Sequence, residues 1–128
     1  MKNIVICVLV MIPCLFTSSF ASAANYTDSL LYKVTIWQNG EETEFEFENP
    51  THYEWEKGKV VIKGQEAQQK VEEIFKLLNV TKETTKEEIK TRLEKNGFSN
   101  LDRFVIKWID PRGNLYTWHW DQKKNETP

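Results

Sequence analysis

The chain has 128 residues, with 17 basic and 19 acidic side chains, a formal net charge of −2 and 40% hydrophobic residues. That length suits one domain, and the absence of any basic block or polybasic tail excludes a nucleic-acid or anionic-membrane surface. Both cysteines, Cys7 and Cys14, fall within the first 23 residues, so the rest of the chain has no disulfide or thiol chemistry to draw on.

Met1–Ala23 reads as a secretory signal peptide. Lys2 precedes an apolar run from Ile4 to Phe16, and Ala21-Ser22-Ala23 supplies the small residues that a signal peptidase needs. The run is 13 residues long, whereas a spanning helix needs about 20, so no membrane span remains after cleavage. The expected location is therefore secreted, with cleavage after Ala23. A lipoprotein anchored at Cys14 is the alternative. Pro13 before that cysteine, and the apolar run continuing past it, argue against acylation. Removing 23 residues from 128 leaves 105, with 16 basic and 19 acidic groups and a net charge of −3. Such a domain must be held by its core alone, since small secreted domains otherwise rely on disulfides.

Residues 24–30 form a short polar lead. Leu31–Trp37 and Glu42–Glu48 then alternate around Asn39-Gly40, the strongest short hairpin signal because both central residues need positive φ. A two-residue turn places Val34 opposite Phe45 and Lys33 opposite Glu46. Tyr32, Val34, Ile36, Thr43, Phe45 and Phe47 then share one face, and the glutamates share the other. Asn49-Pro50 breaks the strand. Tyr53–Glu56 and Lys59–Lys63 read as a further hairpin around Lys57-Gly58.

Residues 64–79 are helical, with Val71, Ile74, Phe75, Leu77 and Leu78 at helical spacing. Thr85-Lys86-Glu87-Glu88 fits a capping box that starts a second helix. Its apolar stripe is Ile89 and Leu93. Asn96-Gly97 stops it, with Phe98 placed for the hydrophobic contact that accompanies such stops. Arg103–Ile109 and Leu115–Trp120 form the last hairpin, around a type I turn with a glycine bulge at Asp110-Pro111-Arg112-Gly113. Its apolar face is Phe104, Ile106, Trp108, Tyr116, Trp118 and Trp120. Residues 121–128 read as a flexible C-terminal tail.

The expected fold class is α+β: an antiparallel sheet of four to six strands with two helices packed on one face. The order is β-hairpins, two helices, β-hairpin, in one domain over 31–120.

One resemblance bears on this arrangement. Lys63-Gly64-Gln65-Glu66-Ala67, the helix ending Ile74-Phe75-Lys76-Leu77-Leu78, Thr85-Lys86-Glu87-Glu88-Ile89, Asn96-Gly97-Phe98 and the last hairpin carry it. Over about residues 30–120 the chain resembles the YusW-like group of small Bacillus extracytoplasmic proteins. The resemblance implies a secreted protein of a Gram-positive bacterium. That group's function is unknown, so it implies no catalytic residues. Its members tend to be lipoproteins, a pattern from which the Pro13-Cys14 junction departs.

Chemistry is sparse. Glu42, Glu44, Glu46 and Glu48 line one strand face, but calcium sites draw six to eight oxygens from a tight loop that is missing here. The row reads as a solvated face that guards against edge pairing. His52 and His119 stand in no close metal-ligand spacing. No cofactor is expected. There is no Gly-x-Ser-x-Gly elbow, and 105 residues leave little room for a glycosidase cleft. The expectation is a non-catalytic binding or interaction module, with a protein or cell-wall component as partner. The alternative is a secreted inhibitor or immunity-type protein acting through the acidic first hairpin; a small hydrolase ranks last. Five tryptophans are the remaining resource. Phe104, Ile106, Trp108 and Trp118 are assigned to the core. Trp37, on the outer face opposite Glu42, and Trp55 and Trp120, near strand ends, are the expected surface binding residues.

Overall fold

The computed structural model describes residues 26–125. The expected leader over 1–23, with Cys14, and residues 126–128 lie outside the described residues. The elements are β1 (Leu31–Gln38), β2 (Glu41–Glu48), β3 (His52–Lys57), β4 (Val60–Lys63), α1 (Gln65–Leu78), α2 (Lys86–Lys95), β5 (Leu101–Ile109), β6 (Leu115–Asp121) and a short α3 (Gln122–Asn125). The fold is α+β, with one six-stranded sheet in the order β4-β3-β2-β1-β5-β6 and every pair antiparallel. The last hairpin thus returns to flank β1, making β1 an interior strand bonded on both sides.

The registers follow from alternation and turn chemistry. Asn39 and Gly40 have φ of 51° and 76°, and Val34 faces Phe45 while Lys33 faces Glu46. At the far hairpin the Asp110 N–H donates to the Asn114 carbonyl, Gly113 has φ 86°, and Ile109 faces Leu115. The middle hairpin differs from expectation by one residue. Lys57 stays in β3 opposite Val60, and the turn falls on Gly58-Lys59. Gly58 takes the positive φ, 57°, that this two-residue connection requires, and its N–H donates to the Glu42 carbonyl.

The pairings lay the inner face of the sheet out in three transverse rows. One runs Tyr53, Phe47, Tyr32, Trp108, Tyr116, and a second Ile62, Trp55, Phe45, Val34, Ile106, Trp118. The third runs Val60, Lys57, Thr43, Ile36, Phe104, Trp120. α1 packs over β2, β3 and β4, and α2 over β6. The core joins Val34, Ile36, Phe47, Phe104 and Ile106 to Val71, Leu78, Ile89 and Leu93 of the helices, all essentially without solvent exposure. Among the described residues no helix is long and apolar enough to cross a membrane.

The helices are tied at their ends. The Thr85 hydroxyl accepts from the Glu88 N–H and the Glu88 carboxylate accepts from the Thr85 N–H, completing the capping box. The Arg92 guanidinium donates to the Leu78 carbonyl at 2.6 Å, so α2 satisfies a carbonyl that the end of α1 leaves without a helical partner.

Three further sequence expectations change. Residues 26–30 belong to the domain rather than lead into it. Tyr26 sits edge-on to Phe47 and Phe75, and Ser29 is buried beneath Trp108. The tail is ordered further than expected: Asp121 ends β6 opposite Arg103, and α3 follows. Trp120 is buried, 9% exposed, stacked on Phe104 under the Lys90 ammonium of α2. It belongs to the core, because α2 reaches over the end of β6.

Candidate functional site

The three tryptophans singled out from the sequence do not converge. Trp37 lies on the face away from the helices, opposite Glu42, as its parity dictates. Its indole N–H donates to Glu42 at 3.1 Å, and the Arg103 guanidinium stacks 3.8 Å from its ring centroid. Shallow hollows flank it, but its indole N–H and one ring contact are already taken by Glu42 and Arg103. Trp120 is core. Trp55 is half-buried on the inner face and lines a cleft of about 340 Å3.

That cleft has an origin in the sheet rows. In the third row, β1, β5 and β6 contribute Ile36, Phe104 and Trp120, whereas β2 and β3 contribute Thr43 and Lys57. A short hydroxyl and a long cation do not fill the volume that aromatics fill across the sheet. Helix α1 spans the gap with Ile74 and Leu77, and Phe98, beyond the end of α2, closes one side. The floor is therefore Phe45, Trp55, Ile74, Leu77 and Phe98, and the rim carries Gln38, Glu41, Lys57, Lys70, Glu73 and Asn96. An apolar basin of this size with a few polar groups at its edge is the usual form of a small-ligand site.

The polar groups are unequally engaged. Lys57 and Glu41 pair with each other at 3.7 Å. The Gln38 amide donates to the Ser99 carbonyl. The Lys70 ammonium lies 5.5 Å from the centroid of the Trp55 ring and forms no ion pair among the described residues. The indole Nε1 of Trp55 is buried and has no hydrogen-bond partner, the one such side-chain atom among the described residues. The other inner-face indoles compared with it are satisfied: Trp108 donates to the Ser29 hydroxyl at 2.6 Å and Trp118 to the Thr84 carbonyl at 2.7 Å. A buried donor left without an acceptor costs about 1–3 kcal/mol.

The outer face is more acidic than one strand suggested. The β2–β3 register sets Glu44 opposite Glu56 and Glu46 opposite Glu54. Lys33 bridges Glu44 at 2.8 Å and Glu46 at 3.3 Å, and Lys63 reaches Glu54 at 3.4 Å. Burial works against the Lys33 charge, but the two glutamates outweigh it and raise its pKa. A hydrogen bond to Glu54, in which the Glu56 carboxyl donates and the Glu54 carboxylate accepts, raises the pKa of Glu56 above the ordinary carboxylate value. No group of three or more potential ligands is arranged for a metal among the described residues. His119, opposite Val105, is exposed on this face.

Trp55 was legible from its parity with Tyr53, which puts both on the inner face. Lys70 and Phe98 were missed as site residues. The available signal was the break in the apolar row at Thr43, together with Lys70 flanking the helix stripe one turn before Ile74. In comparisons with known proteins, no family model, no curated protein and no solved structure matches the chain.

Proposed function

We propose that this chain is a non-catalytic, extracytoplasmic binding module whose ligand or partner side chain seats in the cleft beside Trp55. The carrying observation is an apolar basin of about 340 Å3 floored by aromatic and aliphatic side chains and rimmed by polar ones. The floor offers Phe45, Trp55, Ile74, Leu77 and Phe98 to an apolar group, and the rim offers Gln38, Glu41, Lys57, Lys70, Glu73 and Asn96 for polar contacts that orient it. The leader over 1–23 and the YusW-like resemblance support the extracytoplasmic setting, with a protein or wall component as partner. Capture from cell-wall and secreted fractions with wild-type, Trp55→Ala and Trp37→Ala proteins tests this. Retention should fall with Trp55→Ala and persist with Trp37→Ala; equal retention by all three contradicts the cleft.

A second reading has its own support. The glutamates of β2 and β3 stand side by side on the uncovered face, which fits an inhibitor or immunity-type protein docking a basic partner. Binding of that kind weakens steeply between low and high salt; salt-insensitive capture excludes it.

A further inference from the structure

Resting on the cleft reading, we infer that the occupant of the cleft is an uncharged aromatic side chain carried within a partner polypeptide. Across β2 and β3 the first inner-face row pairs Phe47 with Tyr53 and the second pairs Phe45 with Trp55, but the third pairs Thr43 with Lys57. On the other side of that third row, Ile36, Phe104 and Trp120 fill their share of the layer beneath the helices. The empty volume therefore stands where the pattern of the sheet would put one more ring. Phe45 and Trp55 form its sheet wall, and Ile74, Leu77 and Phe98 line the rest. A ring gains most in such a place, because aromatic pairs attract beyond the area that they bury.

Charge balance at the rim sets the rest of the selectivity. Two ammonium groups, Lys57 and Lys70, face two carboxylates, Glu41 and Glu73. Lys57 and Glu41 pair at 3.7 Å, and Lys70 and Glu73 stand three residues apart on α1, neighbours on a helix surface. The rim charges sum to zero, so a charged group entering gives up hydration without a net countercharge to replace it. An uncharged ring meets no such cost. The third row also runs on past the cleft: Lys57 faces Val60 on the edge strand β4, and Val60 is 56% exposed. A chain continuing beyond the ring can cover that valine, which a free small aromatic leaves in water. An aromatic anchor in an apolar pocket, ringed by polar groups of both signs, is the arrangement of a protein–protein hot spot.

The test is a ¹H–¹⁵N NMR titration of the purified protein with N-acetyl-phenylalaninamide, N-acetyl-phenylalanine and phenylalaninamide, following the backbone amides of Thr43, Phe98 and Trp37. At about pH 6 the three probes carry no charge, one negative charge and one positive charge on the same ring. The uncharged probe should shift Thr43 and Phe98, leave Trp37 in place, and bind at least about threefold more tightly than either charged one. It should also bind more tightly than N-acetyl-leucinamide, and acetyl-Ala-Phe-Ala-amide should bind more tightly still. Glu73→Gln should bring the anionic probe up toward the uncharged one, and Lys70→Gln the cationic probe; both positions are exposed, and an unmoved Trp108 amide verifies the fold. Thr43→Phe puts the missing ring on the chain itself and should abolish binding. A charged probe bound as tightly as the uncharged one overturns the uncharged assignment, and leucinamide bound as tightly overturns the aromatic one, while the cleft stands in both cases. A tripeptide no tighter than the single residue assigns the site to a free small aromatic and overturns the polypeptide. Failure of every probe to move Thr43 and Phe98 overturns the inference; joined with partner capture that survives Trp55→Ala, it overturns the cleft as well.

Discussion

Trp55 and Trp118 stand toward opposite ends of the same transverse row of the sheet, on the same face, each half-buried under a helical layer. Trp118 donates its indole proton to the Thr84 carbonyl, and its neighbour Trp108 donates to Ser29. Trp55 donates to nothing. The two halves of one sheet thus differ in completion. The β5–β6 half is closed by aromatic stacking, by α2 and by the segment before β1. The β2–β3 half is left open where Thr43 and Lys57 replace aromatics. The open row continues onto the edge strand of that half, where Val60, opposite Lys57, is 56% exposed. The lesson is that an incomplete core and a binding site can be the same feature, and that hydrogen-bond accounting tells which half is which.

Stability measurements can break this contrast. The largest effect is expected at Phe104, fully buried in the closed half of the third row. Phe104→Ala should cost about 3–5 kcal/mol in urea unfolding, against less than about 1 kcal/mol for its row-mate Thr43→Ala, which borders existing empty space. Similar losses at the two positions would mean that the halves are equally packed.

A smaller effect sharpens the comparison at the indoles. Ser29→Ala strands the Trp108 N–H in the core and should cost about 1–3 kcal/mol. Trp55→Phe removes a donor that has no partner, so part of its lost packing is offset and its cost should be the lesser of the two. The reverse order would show that Trp55 is satisfied in solution.

The smallest effect is electrostatic and belongs to the closed half. Asp110 accepts from the Asn114 N–H and side-chain amide and from the Arg112 N–H, and lies 3.8 Å from Lys82. These bonds, led by the Asn114 backbone N–H, hold its pKa below the ordinary carboxylate value. A depressed folded-state pKa stabilises above the unfolded value, and that contribution is lost as pH falls through the folded one. Unfolding free energy measured from pH 7 downward should decline across the acidic range, and Asp110→Asn should flatten part of that decline. An unchanged slope would remove Asp110 from the account.

Much of the fold is legible residue by residue because its determinants are local. Asn39-Gly40 and the Asp110–Gly113 turn set two registers, since positive φ and the glycine bulge admit few alternatives. Period-two alternation then assigned Val34, Phe45, Ile106 and Trp108 to one face, and Thr85 with Glu88 started α2. Trp120 was misjudged because a strand-end residue is exposed or buried according to what lies above it, and α2 arrives from distant sequence. The early end drawn at Trp120 and the lead drawn before Leu31 fail for the same reason. Asp121 pairs across β5, and Ser29 is held by Trp108, 79 positions away.

By itself the sequence determined the strand faces, the turns and the helix starts, because each depends on a few neighbouring residues and on backbone sterics. Only the tertiary structure decided the placement of the last hairpin beside β1, the alignment of three rows across the sheet, and the gap where Thr43 and Lys57 meet α1. That gap depends on the volumes of side chains far apart in sequence, and the unmet indole of Trp55 depends on an acceptor that no nearby segment brings.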